Sequence, residues 1–270
     1  MYNNRIMKLP ENIEKLTSGK IFTADDIGMS SSNVLICDDL VLKITDLTTA
    51  RTSDDDTVTI MRWLDGKLPV PKVLAYEKDE KFSYLLMTRI KGEMSCSAYY
   101  LDHPEDLVDI LVSALQMMWS VNISDCPREI SLDDDLLKKK ARVEKGLVST
   151  DNAEPDTYGE GGFKDPAELL AWLSENKPPL EPCLSHGDFC LPNIFVYDGK
   201  VSGFIDLGDT GVADKWRDIA LCYRSLKHNF DGTYSGIVHE GFEPEMFFDV
   251  LGLEPDWDKI RYYILLDELN

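Results

Sequence analysis

Cysteine pairs, long apolar runs and positive charge are what this chain lacks. Its six cysteines, Cys37, Cys96, Cys126, Cys183, Cys190 and Cys222, contain no C-x2-C spacing. That scatter argues against a zinc site or a disulfide framework and fits reduced thiols. No apolar run approaches the roughly 20 residues that cross a bilayer, so no transmembrane helix is expected. Residues 1–8 lack the apolar core of a signal peptide, and the expected location is the cytoplasm. Lys and Arg number only 28 against 49 Asp and Glu, a net charge of −21. So acidic a chain repels nucleic acid and anionic membrane and attracts polycations. Charge alone leaves two readings open: solubility, or a negative cleft that concentrates a cationic substrate.

What is present is 270 residues with a 43% hydrophobic share, enough for two lobes around a cleft. Residues 1–90 read as short strands and turns. Val34–Cys37, a turn at Asp38-Asp39 and Leu40–Ile44 form a hairpin pattern. A helix over Asp56–Leu64 ends at Asp65-Gly66, an extended stretch follows Pro69, and Tyr84–Thr88 is a further strand. From Pro104 the period turns helical, with Leu107, Ile110, Leu111, Ala114, Met118 and Val121 on one stripe. A polar, Gly-rich acidic loop spans 149–162. Helices are expected from Pro166, from Asp214 through Arg224, and over Trp257–Leu269. The fold class is α+β: a β-rich N-terminal lobe, residues 1–90, and a larger mainly helical C-terminal lobe, residues 91–270.

The chemistry concentrates in His186-Gly187-Asp188, Asn193 five residues on, and Asp206-Leu207-Gly208 thirteen beyond that. The spacing parallels the protein-kinase run H-R-D-x4-N…D-F-G, with Gly in place of Arg. Phosphoryl transfer depends on positioning and charge neutralisation. Asp188 is the candidate base, and Asn193 and Asp206 are oxygen donors suited to Mg²⁺. His186 reads as a catalytic acid or as a brace for the loop, with bracing favoured because no nucleophile stands beside it. Cys190 in the same loop reads as filler. Lys43 lies among apolar residues, where an amine needs a partner; a nucleotide phosphate would supply one, and an outward strand Lys is the plain alternative. Gly28-Met29-Ser30 lies between two strands and could present donors to phosphates, though it matches no Gly-rich consensus. No A-P-E pattern follows Asp206, which disfavours a protein kinase.

Beyond these residues, the runs Trp63–Leu74, Ile123–Pro127, Phe163–Pro166, Ser185–Asp188, Asn193–Trp216 and Tyr262–Leu269 resemble the 3′-type aminoglycoside O-phosphotransferases, bacterial antibiotic-resistance kinases of two-lobed protein-kinase-like fold. The resemblance implies transfer of the γ-phosphate of ATP, with GTP possible, to a hydroxyl of an aminoglycoside in the presence of Mg²⁺. It implies Asp188 as catalytic residue, Asn193 and Asp206 as metal ligands, and Lys43 with Gly28, Met29 and Ser30 at the phosphates. Thr88 and Ile90 would meet the adenine edge through their backbone. Arg224, Asp267 and Glu268 would line the substrate site, with Glu160 of the acidic loop, beside Glu154 and Asp156, joining them.

Departures accompany the resemblance. Thr57 stands where such enzymes carry the helix Glu that pairs with the Lys, and Asp56 is the expected substitute within Asp54-Asp55-Asp56. Val41 stands where an aromatic stacks on the nucleobase. Asp209 replaces a basic residue, His228 and Asn229 fall where acids are common, and Asn270 replaces an apolar residue. Two alternatives follow: a kinase for another small cationic amine or sugar, or a nucleotide-binding protein without turnover should Lys43 lack its partner.

Overall fold

The computed structural model describes residues 9–24, 33–48, 54–151 and 153–270. Its first part is a five-stranded antiparallel sheet of order β1-β2-β3-β5-β4. The strands are β1 (Thr23–Ala24), β2 (Asn33–Cys37), β3 (Leu40–Asp46), β4 (Val73–Lys78) and β5 (Phe82–Thr88), with helix α1 (Glu11–Leu16) beside them and α2 (Asp54–Leu64) between β3 and β4. Alternation along β3 divides the sheet into two faces. Leu40, Leu42 and Ile44 pack with Ile13, Tyr84 and Leu86 into a small core. Lys43 pairs in register with Leu85, and Leu85 packs into the main core with Val58 and Met61 of α2. Lys43 is therefore presented on the helix-facing side.

The chain leaves the sheet at Thr88, where the Arg89 amide donates to the Asp39 carbonyl at 2.9 Å. After the short strand β6 (Glu93–Met94) and helix α3 (Ala98–Leu101) comes α4 (Pro104–Trp119). Eight residues of α4, the expected stripe among them, are buried; only Val121 of that stripe lies beyond the helix end. α4 is the centre of the larger core, packing with α7 (Lys215–Phe230) and α8 (Pro244–Leu251), while α9 (Trp257–Asp267) packs on α7. Helices α5 (Leu132–Glu144) and α6 (Pro166–Glu175) pack on each other. Ser131, Asp165, Asp214 and Asp256 cap α5, α6, α7 and α9 through side-chain oxygens on first-turn amides.

Two small sheets carry the chemical residues. Strand β7 (Pro182–Ser185) pairs with β10 (Gly211–Asp214), and β6 pairs with the hairpin β8 (Ile194–Tyr197) and β9 (Lys200–Phe204). The hairpin turns on Asp198-Gly199, both at positive φ (52° and 68°), as a two-residue primed turn requires. Asn193 sits just before β8 and Asp206 just after β9, so this closing turn brings the two together.

Candidate active site

Asp188 stands on a loop whose backbone is anchored from below. The Asp218 carboxylate, fully buried at the start of α7, accepts from the Ser185 hydroxyl (2.9 Å), the His186 amide (2.7 Å) and the Gly187 amide (3.0 Å). Burial pushes the Asp218 carboxyl up, and the nearby His186 ring and the two amides oppose that. Thr210 Oγ1 donates to the His186 carbonyl at 2.9 Å, and Arg217 Nε to the Gly187 carbonyl at 3.2 Å. Gly187 has φ +85°, and a Cβ there would stand 2.1 Å from the Asp209 carbonyl oxygen. This is the physical reason for Gly in the H-G-D run.

His186 braces this loop. Its Nε2 donates to the Ile205 carbonyl at 2.9 Å, and its Nδ1 accepts from the Asp188 amide at 3.3 Å. Both ring nitrogens are used, the ring is fully buried, and no role as proton donor to a substrate is left to it. The Asp188 carboxylate takes the Asn193 side-chain amide at 2.9 Å on Oδ2 and the Cys190 thiol at 3.0 Å on Oδ1. Burial, then the neighbouring Asp188 carboxylate, push the Cys190 thiol well above its usual range. It stays protonated, a donor that fixes the Asp188 rotamer. Cys190 is thus more than filler.

Asn193 spends its amide nitrogen on Asp188, on the carbonyl as well as the carboxylate, which leaves its side-chain oxygen for another partner. Asp206 is exposed and holds a left-handed backbone, φ 56° and ψ 59°, a region where Asp is among the few tolerated residues. The Ile205 amide donates to the Asn193 carbonyl at 3.0 Å, tying the Asp206 segment to the Asp188 loop. An amide oxygen and a free carboxylate fit a hard cation completed by phosphate oxygens. Among the described residues no three His, Cys, Asp or Glu side chains form a metal cage of their own.

Lys43 pairs with Asp54, Nζ to Oδ1 at 3.6 Å. This corrects the expectation for Asp56, which is exposed. The helix begins two residues earlier than the sequence pattern suggests, at Asp54. Residues 54 and 57 share a helix face while 56 points about 200° away from 54, so Asp54 takes the role one turn before Thr57. Asp54 is 4% exposed and also accepts from the Ser83 hydroxyl. Asp55 instead meets Lys78 at 2.6 Å. Lys43 therefore has its partner, and the reason for a form without turnover falls away. Gly28, Met29 and Ser30 lie outside the described residues. Thr88 and Ile90 flank Arg89 at the crossing, and the Ile90 side chain packs on Gly203, where a Cβ would be 2.7 Å away.

On the α9 side, Arg224 pairs with Asp267. Burial alone would raise the Asp267 carboxyl, but Arg224 beside it holds it below the usual range. The Leu191 amide donates to the Ser225 hydroxyl at 3.1 Å, which ties the α7 end of this pair to the Asp188 loop. Asn270 donates to Asp267 at 2.6 Å and accepts from Lys139. Glu268 Oε1 accepts from the Glu154 amide (2.8 Å) and the Thr157 hydroxyl (3.0 Å), while Oε2 is buried without a partner among the described residues. Burial raises the Glu268 carboxyl. The acidic loop is partly neutralised from within: Lys227 lies 3.7 Å from Glu154, which the His228 ring also meets at 2.9 Å, and Arg261 lies 2.8 Å from Asp156. Glu160 is exposed, and no contact among the described residues brings it to Arg224 or Asp267. Arg128 donates to the Gly208 carbonyl and approaches Asp209 at 3.9 Å, so a guanidinium from elsewhere in the chain reaches a position where a basic residue is missing. Sequence reading named Asp54 only within its acidic run and missed Arg128, Thr210, Arg217 and Asp218. Only Asp218, in the first turn of a helix, carried a local signal, and that signal reads as ordinary dipole complementarity.

The phosphotransferase enzyme family matches residues 22–263. An aminoglycoside 3′-phosphotransferase of Enterococcus faecalis is 42% identical over 97% of this chain and 98% of its own length. One from Staphylococcus aureus is 41% identical over the same shares. Among solved structures, an aminoglycoside-3′-phosphotransferase of type VIII superposes with a TM-score of 0.78 at 22% identity, covering 96% of this chain and 97% of that one. A choline/ethanolamine kinase family protein of Mesorhizobium loti superposes at 0.62, covering 94% of this chain and 79% of that one. The α+β fold is thus the kinase-like one, and the chain belongs to the phosphotransferase enzyme family.

Proposed function

We propose that this chain is an aminoglycoside 3′-phosphotransferase that moves the γ-phosphate of ATP to a hydroxyl of an aminoglycoside. The carrying observation is the Asp188 carboxylate, held by Asn193 and the Cys190 thiol beside the Arg224–Asp267 pair. Close relatives named for that activity support the reading. Residues 1–90 are taken as the nucleotide lobe and 91–270 as the catalytic and substrate lobe, with Thr88 and Ile90 at the adenine edge.

Asp188 accepts the proton of the attacking hydroxyl as its oxygen bonds to the γ-phosphorus. The bridging P–O bond breaks, and ADP leaves with that electron pair. Positioning matters more than basicity here, and the two donors on Asp188 supply it. Asn193 and Asp206 would hold Mg²⁺, which when bound neutralises phosphate charge. Lys43, oriented by Asp54, adds a positive charge to the phosphates. Glu268, with one buried oxygen unpartnered, offers a docking point for a substrate ammonium group, and Asp267 another once it shares Arg224. The acidic loop with Glu154 and Glu160 extends that surface.

The test is ATP turnover with Mg²⁺ over aminoglycosides with and without a 3′-hydroxyl, with Asp188→Ala as control. Turnover confined to 3′-hydroxyl compounds is expected. Activity only on another amine would overturn the substrate, and full activity in Asp188→Ala would overturn the mechanism. Lys227, 3.7 Å from Glu154, favours one second reading, a different cationic amine or sugar, because an internal cation already lies against an acid of the loop.

A further inference from the structure

Opposite the catalytic end of the β8–β9 hairpin, roughly 15 Å of strand from Asn193, lies a separate cleft of about 750 Å³. It is bounded by the turn Asp198-Gly199, by Glu93 of β6 and by α4, which contributes Asp106 and Asp109. These two and Ser113 are exposed at i, i+3 and i+7, one helix face. Four carboxylates thus border one space, with Lys200 the single lining cation. Among the described residues none of the four carboxylates takes an ion pair or a hydrogen bond.

Tyr100 supplies an observation of a different kind. Its side chain lines the cleft, is 5% exposed, and its hydroxyl has no hydrogen-bond partner among the described residues. Tyr99 holds it in place edge-on at 5.1 Å and exposes its own ring at 53%. Burial raises the Tyr100 phenol, and Glu93, Tyr99, Asp106 and Asp198 raise it further, which places the hydroxyl in the field of the cleft carboxylates. The ring is buried while the hydroxyl keeps access to the cleft, so a ligand there meets an unpaired oxygen. The carboxylates do not converge on a single point, and no metal-donor cluster forms among the described residues. The complement is an extended cation whose charges are spaced along it, with an aromatic face available to an ammonium group.

We propose that this cleft is a second binding site, separate from the transfer centre, for an organic polycation carrying several ammonium groups. Asp106, Asp109, Glu93 and Asp198 neutralise successive ammonium groups, and the Tyr100 oxygen accepts an N–H at the cleft floor. The chemistry is shared by free polyamines and by aminoglycosides, so the cleft can be filled by either.

Calorimetric titration of the full chain with spermine tests this. Asp106→Asn/Asp109→Asn is expected to weaken spermine binding at least tenfold, and Tyr100→Phe three- to tenfold. The control Glu175→Gln/Asp249→Asn, which removes two exposed charges elsewhere, should change it less than twofold. Turnover kcat and Tm of the α4 double variant should stay within twofold and 2 °C of the parent, roughly what surface substitutions allow. Equal weakening in the two double variants would reduce the effect to net charge and overturn the proposal, as would no spermine binding by the parent. Kanamycin titrations separate the sources. A second kanamycin equivalent lost in the α4 variant assigns the cleft to the aminoglycoside itself. One equivalent, untouched while spermine binding falls, assigns it to a free polyamine. Failure here leaves the transfer reading standing, since that rests on turnover.

Discussion

The Lys43–Asp54 pair allows the sharpest test, because the structure and the sequence pattern name different residues. Asp54 is 4% exposed and lies 3.6 Å from a Lys43 side chain that keeps 23% exposure. At an effective dielectric of 20 such a pair attracts by about 4–5 kcal/mol. Solvent at Lys43 screens part of this, and Asp54→Asn keeps the shape and an acceptor for Ser83. What is lost is the charge that aims the ammonium at the phosphates. We expect about 1.4–2.7 kcal/mol in transition-state stabilisation, a ten- to hundredfold fall in kcat/KM for ATP. Asp56→Asn, on an exposed side of the same turn, should stay within twofold. Steady-state kinetics with ATP varied, alongside urea unfolding, separates this from loss of fold. The reasoning is refuted if Asp56→Asn falls and Asp54→Asn does not, or if Asp54→Asn loses only stability.

Asp188→Asn should lower kcat by about 10²–10⁴-fold with ADP affinity retained, read by turnover and by calorimetric titration. Gly187→Ala, at φ +85° with a Cβ 2.1 Å from a carbonyl oxygen, should lose more than about 2 kcal/mol in urea unfolding and most turnover. Lys215, Trp216 and Lys259 hydrogen-bond Glu181 and lower its carboxyl to about 2 from the ordinary 4.5. A lowered folded-state value contributes stability above the unfolded value and loses it as pH falls. The Tm gap between wild type and Glu181→Gln should therefore be full at pH 7 and shrink between about pH 4.5 and 2, and a gap that grows on acidification would contradict the assignment.

How much was legible depends on the range of the signal. The hairpin at Asp38-Asp39 and the stripe of α4 carry local periodicity, and both appear where the pattern puts them. The H-G-D…N…D spacing placed three groups on one hairpin and its neighbouring loop because strand β7 and hairpin β8–β9 are short and their turns tight. Helix α5 escaped notice because its middle is Asp133–Asp135 and Lys138–Lys140, a run with few apolar residues, of which Leu132 and Leu136 alone are buried. The start of α2 escaped because three consecutive Asp residues are each acceptable in a first turn, and only the position of Lys43 across the sheet decides among them. Asp218 and Arg128 act across 31 or more residues of chain, a distance over which no spacing rule operates.

The substrate side shows why net charge is a poor guide to where a cation binds. Of the acids that the resemblance offers there, Asp267 is shared with Arg224, Glu154 with His228 and Lys227, and Asp156 with Arg261. Asp209 has Arg128 in reach. Each internal cation lowers the attraction left for a substrate ammonium at that carboxylate, and a substrate gains there only by displacing or sharing it. The unmatched group is the buried Glu268 oxygen, whose desolvation has already been incurred in folding. An unpartnered buried acceptor gains a full hydrogen bond on binding, whereas a surface acid exchanges one partner for another. On the proposed reading, selectivity would fall to the few atoms left unsatisfied on this side, while the remaining acids would set how fast a polycation arrives.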